Sequence, residues 1–314
     1  MRMPVARHGL LAAAGLALAA CAADARAPGE LFFPERDVFP ESITADASGA
    51  LFAGSAANGS IYRVKPGEST ASVWIPGSKS GIAETLGVFA DDASGTLYAC
   101  SIGLGAPPDK ADALSALYAF DLSTGEVKAR YALPGGAKAV CNDIATDGAG
   151  NAYVSDIANG RVLLLRKGAT TLEEWLADPV LAGVNGVAVG NDGALYVDTM
   201  ASGKLFRIAI ANGHAGTPEA IATPRPLERP DGLRALGRGR FLLAENGGHL
   251  SLLTVFSDAK TQLVPLAEGA GWSSAAFAGG RYWAVNSKAE YRMDPAFAGK
   301  DPNPFRIDAI DPPE

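Results

Sequence analysis

The stretch "TDGAGNAYVSD", residues 146–156, is one copy of a pattern that recurs along the chain. Its other copies are "ADASGALFAGS" (45–55), "DDASGTLYACS" (91–101), "GNDGALYVDT" (190–199), "LGRGRFLLAEN" (236–246) and "FAGGRYWAVNS" (277–287). In each copy a short apolar segment enters a turn that contains glycine, and a second apolar segment with an aromatic residue leaves it. Two such segments around a glycine turn predict a β-hairpin. The six copies therefore predict six hairpins of one kind.

The spacing of the hairpins predicts the architecture. The aligned turn glycines are Gly49, Gly95, Gly150, Gly193, Gly239 and Gly280, which are 41 to 55 residues apart. This period is typical of the four-stranded blades of a β-propeller. A third strand follows each hairpin ("SIYRV", "ALYAFD", "RVLLLR", "KLFRI", "HLSLLTV", "AEYRM"), and a more irregular fourth strand comes next. We therefore predict an all-β protein, a six-bladed β-propeller, in preference to a β-sandwich.

The ends of the chain bear on how the ring closes. "ELFFPERDVF", residues 30–39, precedes the first hairpin as a fourth strand precedes each later one. We expect this N-terminal strand to complete the last blade. "TTLEEWLADPVL", residues 170–181, is compatible with a helical turn but stands where a fourth strand is expected. The proline-rich end, residues 301–314, is expected to pack outside the blades or to stay loose.

Composition narrows the classes of protein. Of the 314 residues 48% are hydrophobic and 19% are charged, which argues against a disordered chain. The net charge of −7, without a dense run of Lys or Arg, argues against nucleic acid or an anionic surface as a partner. The oligomeric state is not indicated by the sequence.

The N-terminal segment has the features of a targeting signal. Arg2 and Arg7 precede a short apolar stretch, residues 10–20, as in a secretory signal peptide. "LAAC", residues 18–21, resembles the lipobox of bacterial lipoproteins, and the following Ala22 favours the outer membrane. We expect a signal peptide over 1–20, lipidation at Cys21, a tether over 21–30 and the propeller over 31–314. The protein would then lie in the periplasm and touch the membrane only through its lipid; the alternatives are ordinary cleavage with a free cysteine, or an overlong start.

One position in each repeat carries unusual residues. The residues eight places before the aligned glycines are Glu41, Gly87, Asn142, Asn185, Asp231 and Trp272. Four of the six bear side-chain oxygens at the start of the predicted innermost strand, so they would converge at one mouth of the central channel. Two carboxylates and two amides form a hard-oxygen set that suits Ca²⁺, with Mg²⁺, Mn²⁺ or Zn²⁺ as alternatives. The competing interpretation, that these residues only end the preceding loops, does not explain their common spacing.

The same residues carry a family resemblance. Glu41, "ND" at 142–143, "NG" at 185–186 and "PDG" at 230–232 resemble the gluconolactonase/regucalcin-like (senescence marker protein-type) six-bladed propellers, which are related to the paraoxonases. The resemblance spans about residues 31–293. It implies that Glu41, Asn142, Asn185 and Asp231 bind a divalent metal that polarises a substrate carbonyl or phosphoryl oxygen. It also implies that Asp231 acts as base or nucleophile.

The chain departs from that family at two places. The family places Gly-Pro and a Trp after the first Glu, where this chain reads "ESITAD". The family also has an Arg, which contacts the sugar lactone, at the position of Val140. The metal site therefore transfers better than the sugar specificity, and "CNDIA" is more like the paraoxonase version of this strand.

These observations predict a metal-dependent hydrolase of small-molecule lactones or related esters. Asp231 and Asp143 are the candidate catalytic residues, because a carboxylate can deprotonate water; for Asp143 a supporting role is the alternative. Gly87, Trp272 and His249 are candidates for the substrate pocket, as an opening, an apolar wall and a histidine near the metal; for His249 a structural or exposed position is the alternative. The loop at 102–116 is either a lid or a solvated insertion.

Two questions stay open at the level of sequence. The alternative function is a non-catalytic periplasmic propeller lipoprotein that binds a small ligand or a protein partner and holds a structural calcium. Cys100 ends the second predicted strand of blade two and Cys141 begins the first strand of blade three, so both would lie on the same face of adjacent blades. A disulfide and a pair of buried thiols are both compatible with that placement.

Overall fold

The computed structural model describes residues 29–103, 115–269 and 271–313. Almost all regular structure in these ranges is β-strand. The helices are short: α1 (Gly77–Ser80), α2 (Glu290–Met293) and three 3₁₀ turns at Gly136–Lys138, Pro179–Leu181 and Pro295–Phe297. Within the described ranges no helix has the length and hydrophobicity needed to cross a membrane.

Six antiparallel four-stranded sheets form the blades, so the predicted six-bladed propeller is confirmed. Blade one contains β2 (Pro40–Ala45), β3 (Leu51–Ser55), β4 (Ile61–Val64) and β5 (Ser72–Ile75). Blade two contains β6 (Glu84–Asp91), β7 (Thr96–Ile102), β8 (Ala116–Asp121) and β9 (Val127–Ala132). Blade three contains β10 (Cys141–Thr146), β11 (Ala152–Asp156), β12 (Arg161–Leu165) and β13 (Glu173–Ala177). The stretch at 170–181 thus supplies a fourth strand, as its place in the repeat indicates.

The remaining blades follow the same order. Blade four contains β14 (Val184–Val189), β15 (Leu195–Thr199), β16 (Lys204–Ile208) and β19 (Glu219–Ile221), with a small hairpin of β17 (Ile210–Ala211) and β18 (His214–Ala215) before its last strand. Blade five contains β20 (Pro230–Gly237), β21 (Arg240–Glu245), β22 (His249–Val255) and β23 (Thr261–Glu268). Blade six contains β24 (Ser274–Ala278), β25 (Arg281–Val285), β26 (Arg306–Ile310) and β1 (Glu30–Phe32).

Blade six closes the ring, but by a different third strand from the one expected. β1 pairs with β26, with Leu31 opposite Ile307, which confirms that the N-terminal strand completes the last blade. The predicted third strand "AEYRM" is wrong, because residues 290–293 form α2 without a buried side chain. The segment at 306–310 takes that place beside β25 and buries Ile307 at 1% exposure. The expectation that the C-terminal segment packs outside the blades is therefore wrong as well.

Apolar side chains from facing sheets hold neighbouring blades together. Phe52 of blade one packs with Leu97 and Phe120 of blade two, and Tyr153 of blade three packs with Val187 of blade four. The aromatic residue that leaves each turn glycine is buried at this seam. Each fully buried side chain of this size contributes about 1.5–3 kcal/mol. The repeat thus specifies both the hairpin and the contact between blades.

A disulfide joins blades two and three. Cys100 on β7 is bonded to Cys141 on β10, with 5.1 Å between the Cα atoms. Neither residue is exposed to solvent. Of the two arrangements compatible with the sequence, the structure therefore has the disulfide rather than two thiols.

Three predicted features lie outside the described residues. They are the signal peptide at 1–20, the lipidation site Cys21 with most of the tether, and residues 104–114 of the loop considered as a lid.

Candidate metal centre at the channel mouth

Four predicted residues meet at one small cavity. Glu41, Asn142, Asn185 and Asp231, from blades one, three, four and five, all line a cavity of about 10 Å³. This is about the space that one water-sized particle needs. Asn142, Asn185 and Asp231 are 6%, 2% and 5% exposed, and Glu41 is partly exposed. The cavity therefore has the size of a site for a single ion.

An irregularity in each strand brings these side chains to the cavity. Strand pairing shifts between Cys141 and Ile144, between Val184 and Val187, and between Pro230 and Leu233, and a similar shift in β2 follows Pro40. A bulge of this kind redirects a side chain and interrupts the ladder of hydrogen bonds. Polar residues that are poor strand formers are therefore tolerated at these positions.

Hydrogen bonds at the cavity engage three of the four side chains, those of Asn142, Asn185 and Asp231. The Asn142 side-chain amide donates to Asn185 Oδ1, and Asn246 Nδ2 donates to Asp231 Oδ2 at 2.5 Å. A rotation of the Asn142 amide would turn its oxygen to the cavity. Two carboxylates and two amides can then offer four oxygens, which fits a hard divalent cation. The described part of the chain holds no cluster of three or more His, Cys, Asp or Glu suited to a metal, so amide oxygens are essential to this set.

Burial makes the cavity costly for its carboxylates when no cation is bound. Burial raises the pKa of Asp231 to about 7, and the nearby Asp143 adds to the rise while the Asn246 hydrogen bond opposes it. Burial also raises the pKa of Glu41 well above its usual range, and the carboxylates of Asp231 and Asp143 act in the same direction. A bound cation would relieve both effects because it stabilises the ionised carboxylates.

Asp143 lies beside the four residues but is held by other partners. Its Oδ2 accepts hydrogen bonds from Arg234 Nη1 at 2.7 Å and from the Val187 backbone N–H at 3.1 Å. Asp143 and Arg234 form an ion pair with side chains 5% and 8% exposed. Because Asp143 Oδ2 is already occupied by Arg234 and by a backbone N–H, this geometry favours a supporting role for Asp143. Its Oδ1 is buried and has no hydrogen-bond partner among the described residues.

Sequence reasoning missed several residues at the cavity. Arg234, Ser42, Ser273 and Ser274 line it as well. Arg234 could have been identified as a residue of the cavity, because it is a charged residue within the largely apolar innermost strand of blade five. Its partners Asp143 and Ser42 are 91 and 192 residues away in sequence, so no local pattern could identify them.

Gly87 is not an opening. Val88 pairs with Ala99, eleven residues on, whereas Ile144 of blade three pairs with Val154, ten residues on. The hairpin of blade two is thus one residue longer, and Leu86 rather than Gly87 corresponds to Asn142. A Cβ atom on Gly87 would lie 2.3 Å from the backbone oxygen of Asn142. Gly87 therefore allows the backbones of two blades to approach each other.

Trp272 is not a wall of the cavity. It is 6% exposed and packs with Leu242, Leu250 and Tyr282 between blades five and six. The next residue, Ser273, lines the cavity instead. The hairpin of blade six is one residue shorter than that of blade three, so counting back from the turn glycine stops one residue early.

His249 lies away from the four residues. It begins β22, and its Nε2 is 3.6 Å from Glu228 Oε1 with the side chain 26% exposed. Its Nδ1 is 4.0 Å from Glu268. It is absent from the cavity lining formed by the described residues, and its place in a substrate pocket stays a prediction.

Comparison with known proteins identifies the fold. No protein-family model matches the chain, and no curated protein matches it significantly. Among solved structures, a calcium-binding protein, regucalcin, from Agrobacterium tumefaciens is similar at TM-score 0.66 and 16% identity, over 91% of this chain and 95% of that one. A gluconolactonase from Xanthomonas campestris is similar at TM-score 0.64 and 16% identity, over 89% and 88%. Virginiamycin B lyase from Staphylococcus aureus is similar at TM-score 0.58 and 16% identity, over 90% and 98%.

At these identities the similarity shows the six-bladed fold that the chain shares with gluconolactonase and regucalcin structures. The structural similarity extends to a lyase, and fold alone does not decide function.

Proposed function

We propose that the protein is a metal-dependent hydrolase of lactones or related esters, with Ca²⁺ as its cation. The observation that carries the proposal is the convergence of Glu41, Asn142, Asn185 and Asp231 on one cavity of ionic size. These residues come from four blades, and consecutive members are 43 to 101 positions apart, so the fold alone brings them together. Metal analysis of the purified protein distinguishes Ca²⁺ from Mg²⁺, Mn²⁺ and Zn²⁺.

The chain contributes positioning and proton transfer. When bound, a divalent cation polarises the carbonyl oxygen of the substrate and stabilises the charge that develops there. Asn246 holds Asp231 Oδ2 in place. We assign to the other carboxylate oxygen, Asp231 Oδ1, the acceptance of a proton from the attacking water. Asn142 and Asn185 stay neutral, so they can hold a cation without adding further negative charge.

The comparisons support this reaction class. The similar structures include a gluconolactonase and a calcium-binding regucalcin. Virginiamycin B lyase is structurally similar to this chain, and its variant with one histidine replaced by alanine is described as catalytically inactive. In the described part of this chain no histidine lines the cavity. The residues at the channel mouth therefore favour a carboxylate-based hydrolase over a histidine-based lyase.

The test is turnover of a panel of lactones and aryl esters before and after treatment with EDTA. We expect activity to be lost with the metal and restored by Ca²⁺. Asp231→Asn should lower turnover by about 10²–10⁴-fold, the range of a general base. The matched control is Asp192→Asn, a carboxylate paired with Arg207 outside the channel.

Full activity without metal, or an unaffected Asp231→Asn variant, would contradict the mechanism. An absence of turnover across the panel, in a folded protein with Ca²⁺ bound, would favour the alternative of a non-catalytic propeller that binds a ligand or partner.

We also propose that the protein is a periplasmic lipoprotein anchored to the outer membrane through Cys21. The Cys100–Cys141 disulfide is compatible with an oxidising compartment. Labelling of cells with palmitate, followed by fractionation, should find labelled wild type in the outer membrane and unlabelled Cys21→Ala outside it. Equal labelling of the two forms would contradict lipidation at this cysteine.

A further inference from the structure

We propose that Arg234 determines which cations the site accepts, because its fixed positive charge matches the cavity to one divalent ion. This inference rests on the proposed metal site and adds the residue that sets its selectivity for charge.

The guanidinium of Arg234 is fixed by oxygen atoms from four blades. Nη1 donates to Asp143 Oδ2 at 2.7 Å and to the Leu233 backbone oxygen at 3.0 Å. Nη2 donates to Ser42 Oγ at 3.1 Å and to the Val88 backbone oxygen at 3.3 Å. A set of oxygens around one positive group is the environment that a small cation would otherwise require. Arg234 thus acts as a cation that belongs to the chain.

Its surroundings restrain the guanidinium further. The Arg234 side chain is 8% exposed, and its Cζ lies 6.0 Å from the centre of the Phe89 ring. Guanidinium stays protonated at all ordinary pH values. Its charge is therefore a constant of the site, unlike that of a mobile ion.

The charges that line the cavity add up to a value suited to a divalent cation. The charged side chains there are Glu41, Asp143, Asp231 and Arg234. With all of them ionised, three carboxylates and one guanidinium give a formal charge of −2. Buried charges are weakly screened by water and salt, so one unit charge changes the affinity for an ion strongly. Without Arg234 the formal charge would be −3, which suits a trivalent ion.

The test compares affinities for Tb³⁺ and Ca²⁺ in chelator-treated protein by titration calorimetry. The ratio of the two affinities is the readout, because a general loosening of the site weakens both ions together. Arg234→Gln should raise the preference for Tb³⁺ by about tenfold or more, as a unit charge within roughly 10 Å does at an effective dielectric constant of 20. Asp143→Asn should lower the preference by a similar factor.

A double variant that restores the formal charge of the cavity separates the effect of charge from that of altered structure. The double variant Arg234→Gln/Asp143→Asn restores the formal charge of −2 and should return the ratio to within about threefold of wild type. Arg234→Lys keeps the charge and should leave the ratio unchanged. Arg207→Gln is the matched control, because Arg207 pairs with Asp192 at 2.8 Å outside the cavity.

If Arg234→Gln or Asp143→Asn does not fold, a variant that adds a charge and keeps the Arg234–Asp143 ion pair tests the same inference. Ser42→Asp gives Arg234 a second acidic partner and brings the formal charge to −3. It should therefore shift the ratio toward Tb³⁺ as Arg234→Gln does. Circular dichroism checks that each variant is folded.

The outcomes distinguish this inference from the proposed function. Ratios that stay within threefold of wild type in Arg234→Gln, Asp143→Asn and Ser42→Asp overturn the role of Arg234 and leave the metal site standing. A folded wild type that binds neither ion overturns both. Metal binding with the expected ratios but without hydrolysis supports the role of Arg234 and contradicts the enzyme.

Discussion

The innermost strands of blades two and three lie side by side but begin differently. Blade three has Asn142 and Asp143 at the positions where blade two has Leu86 and Gly87. Blade three thus provides polar groups to the cavity, whereas the glycine of blade two lets the backbone of blade three approach closely. A Cβ atom on Gly87 would be 2.3 Å from the Asn142 backbone oxygen and 2.9 Å from Asp143 Cα. The absence of a side chain in one blade therefore fixes the place of the polar pair in the next.

The same relation recurs around the ring. A Cβ atom on Gly186 would be 2.4 Å from the Asp231 backbone oxygen, and one on Gly232 would be 2.7 Å from that of Ser273. The glycines of "NG" and "DG" in these strands are thus points of close approach between blades and not turn residues. In blades three, five and six the polar residue at the start of the innermost strand packs against a glycine of the preceding blade. These polar residues are Asn142, Asp231 and Ser273.

The largest effect is expected from the covalent link between the two blades compared above. Replacing both members of the disulfide, in Cys100→Ala/Cys141→Ala, should lower the free energy of unfolding by about 4 kcal/mol, because a loop of this length is released in the unfolded chain. Urea unfolding of the double variant and of wild type measures the difference. Reduction of wild type under unfolding conditions should reproduce it, and equal stability of the two proteins would contradict it.

The second effect is a dependence of stability on pH. It is expected because blade five has Asp231 at the position where blade two has the apolar Leu86. The pKa of Asp231 is raised from 3.8 to about 7, so the folded metal-free protein keeps a proton that the unfolded chain has lost. The contribution of this carboxyl group to the free energy of unfolding should therefore be greatest below about pH 4. It should decrease, by at most about 4 kcal/mol, as the pH rises to 7. Because Ca²⁺ needs the ionised carboxylate, stabilisation by Ca²⁺ should grow over the same interval.

Urea unfolding between pH 4 and 8, with and without Ca²⁺, measures this dependence. Asp231→Asn is the control, because its side chain cannot titrate. Without metal, its free energy of unfolding should lack the decrease between pH 4 and 7. Identical pH profiles for wild type and Asp231→Asn would show that the carboxyl is not protonated in the fold.

The third effect tests the glycine of blade two directly. Gly87→Ala should destabilise the fold by about 1–3 kcal/mol, since the added methyl group meets backbone atoms that cannot rotate away. Because it presses on Asn142, it should also weaken Ca²⁺ binding. Gly148→Ala is the matched control, as nothing lies within 4 Å of a Cβ atom there. Thermal unfolding that finds the two variants equally stable would contradict the close approach.

The smallest effect is expected in blade six. Ser273 lines the cavity but belongs to none of the four ligand positions, and its Oγ donates to the Val285 backbone oxygen at 3.2 Å. Ser273→Ala should lower stability by about 1 kcal/mol, the value of one hydrogen bond. Its affinity for Ca²⁺, measured by calorimetry, should stay close to that of wild type. A large loss of affinity would make Ser273 a ligand and extend the site to a fifth blade.

The sequence was sufficient for the blades and for the convergence of Glu41, Asn142, Asn185 and Asp231 on one cavity, because both follow the glycine repeat. Counting from the turn glycine gave the correct position in blades one, three, four and five, whose hairpins have equal length. It was off by one residue at Gly87 and Trp272, where the hairpin gains or loses a residue. Counting residues back from the turn glycine cannot detect a change in hairpin length. Only the pairing of the two strands shows it.

Other features depend on contacts between distant segments. Arg234 meets Asp143 across the channel, and β26 reaches its place between β25 and β1 only once the ring is closed. "AEYRM" and "RIDAI" both read as short strands, and the pairing partner supplied by the N-terminus decides between them. Local pattern therefore predicts which elements form, whereas closure of the ring decides which of them pair.

The most direct test of the metal site is a calorimetric titration of chelator-treated protein with Ca²⁺. Wild type should bind one ion per chain. Asn142→Leu, which gives blade three the residue that blade two has at this position, should weaken binding by about 100-fold or more, because loss of a ligand costs at least as much as loss of its supporting contacts. A folded wild type that binds no Ca²⁺, or an Asn142→Leu variant that binds it as well as wild type, would contradict a cation site built from these four blades.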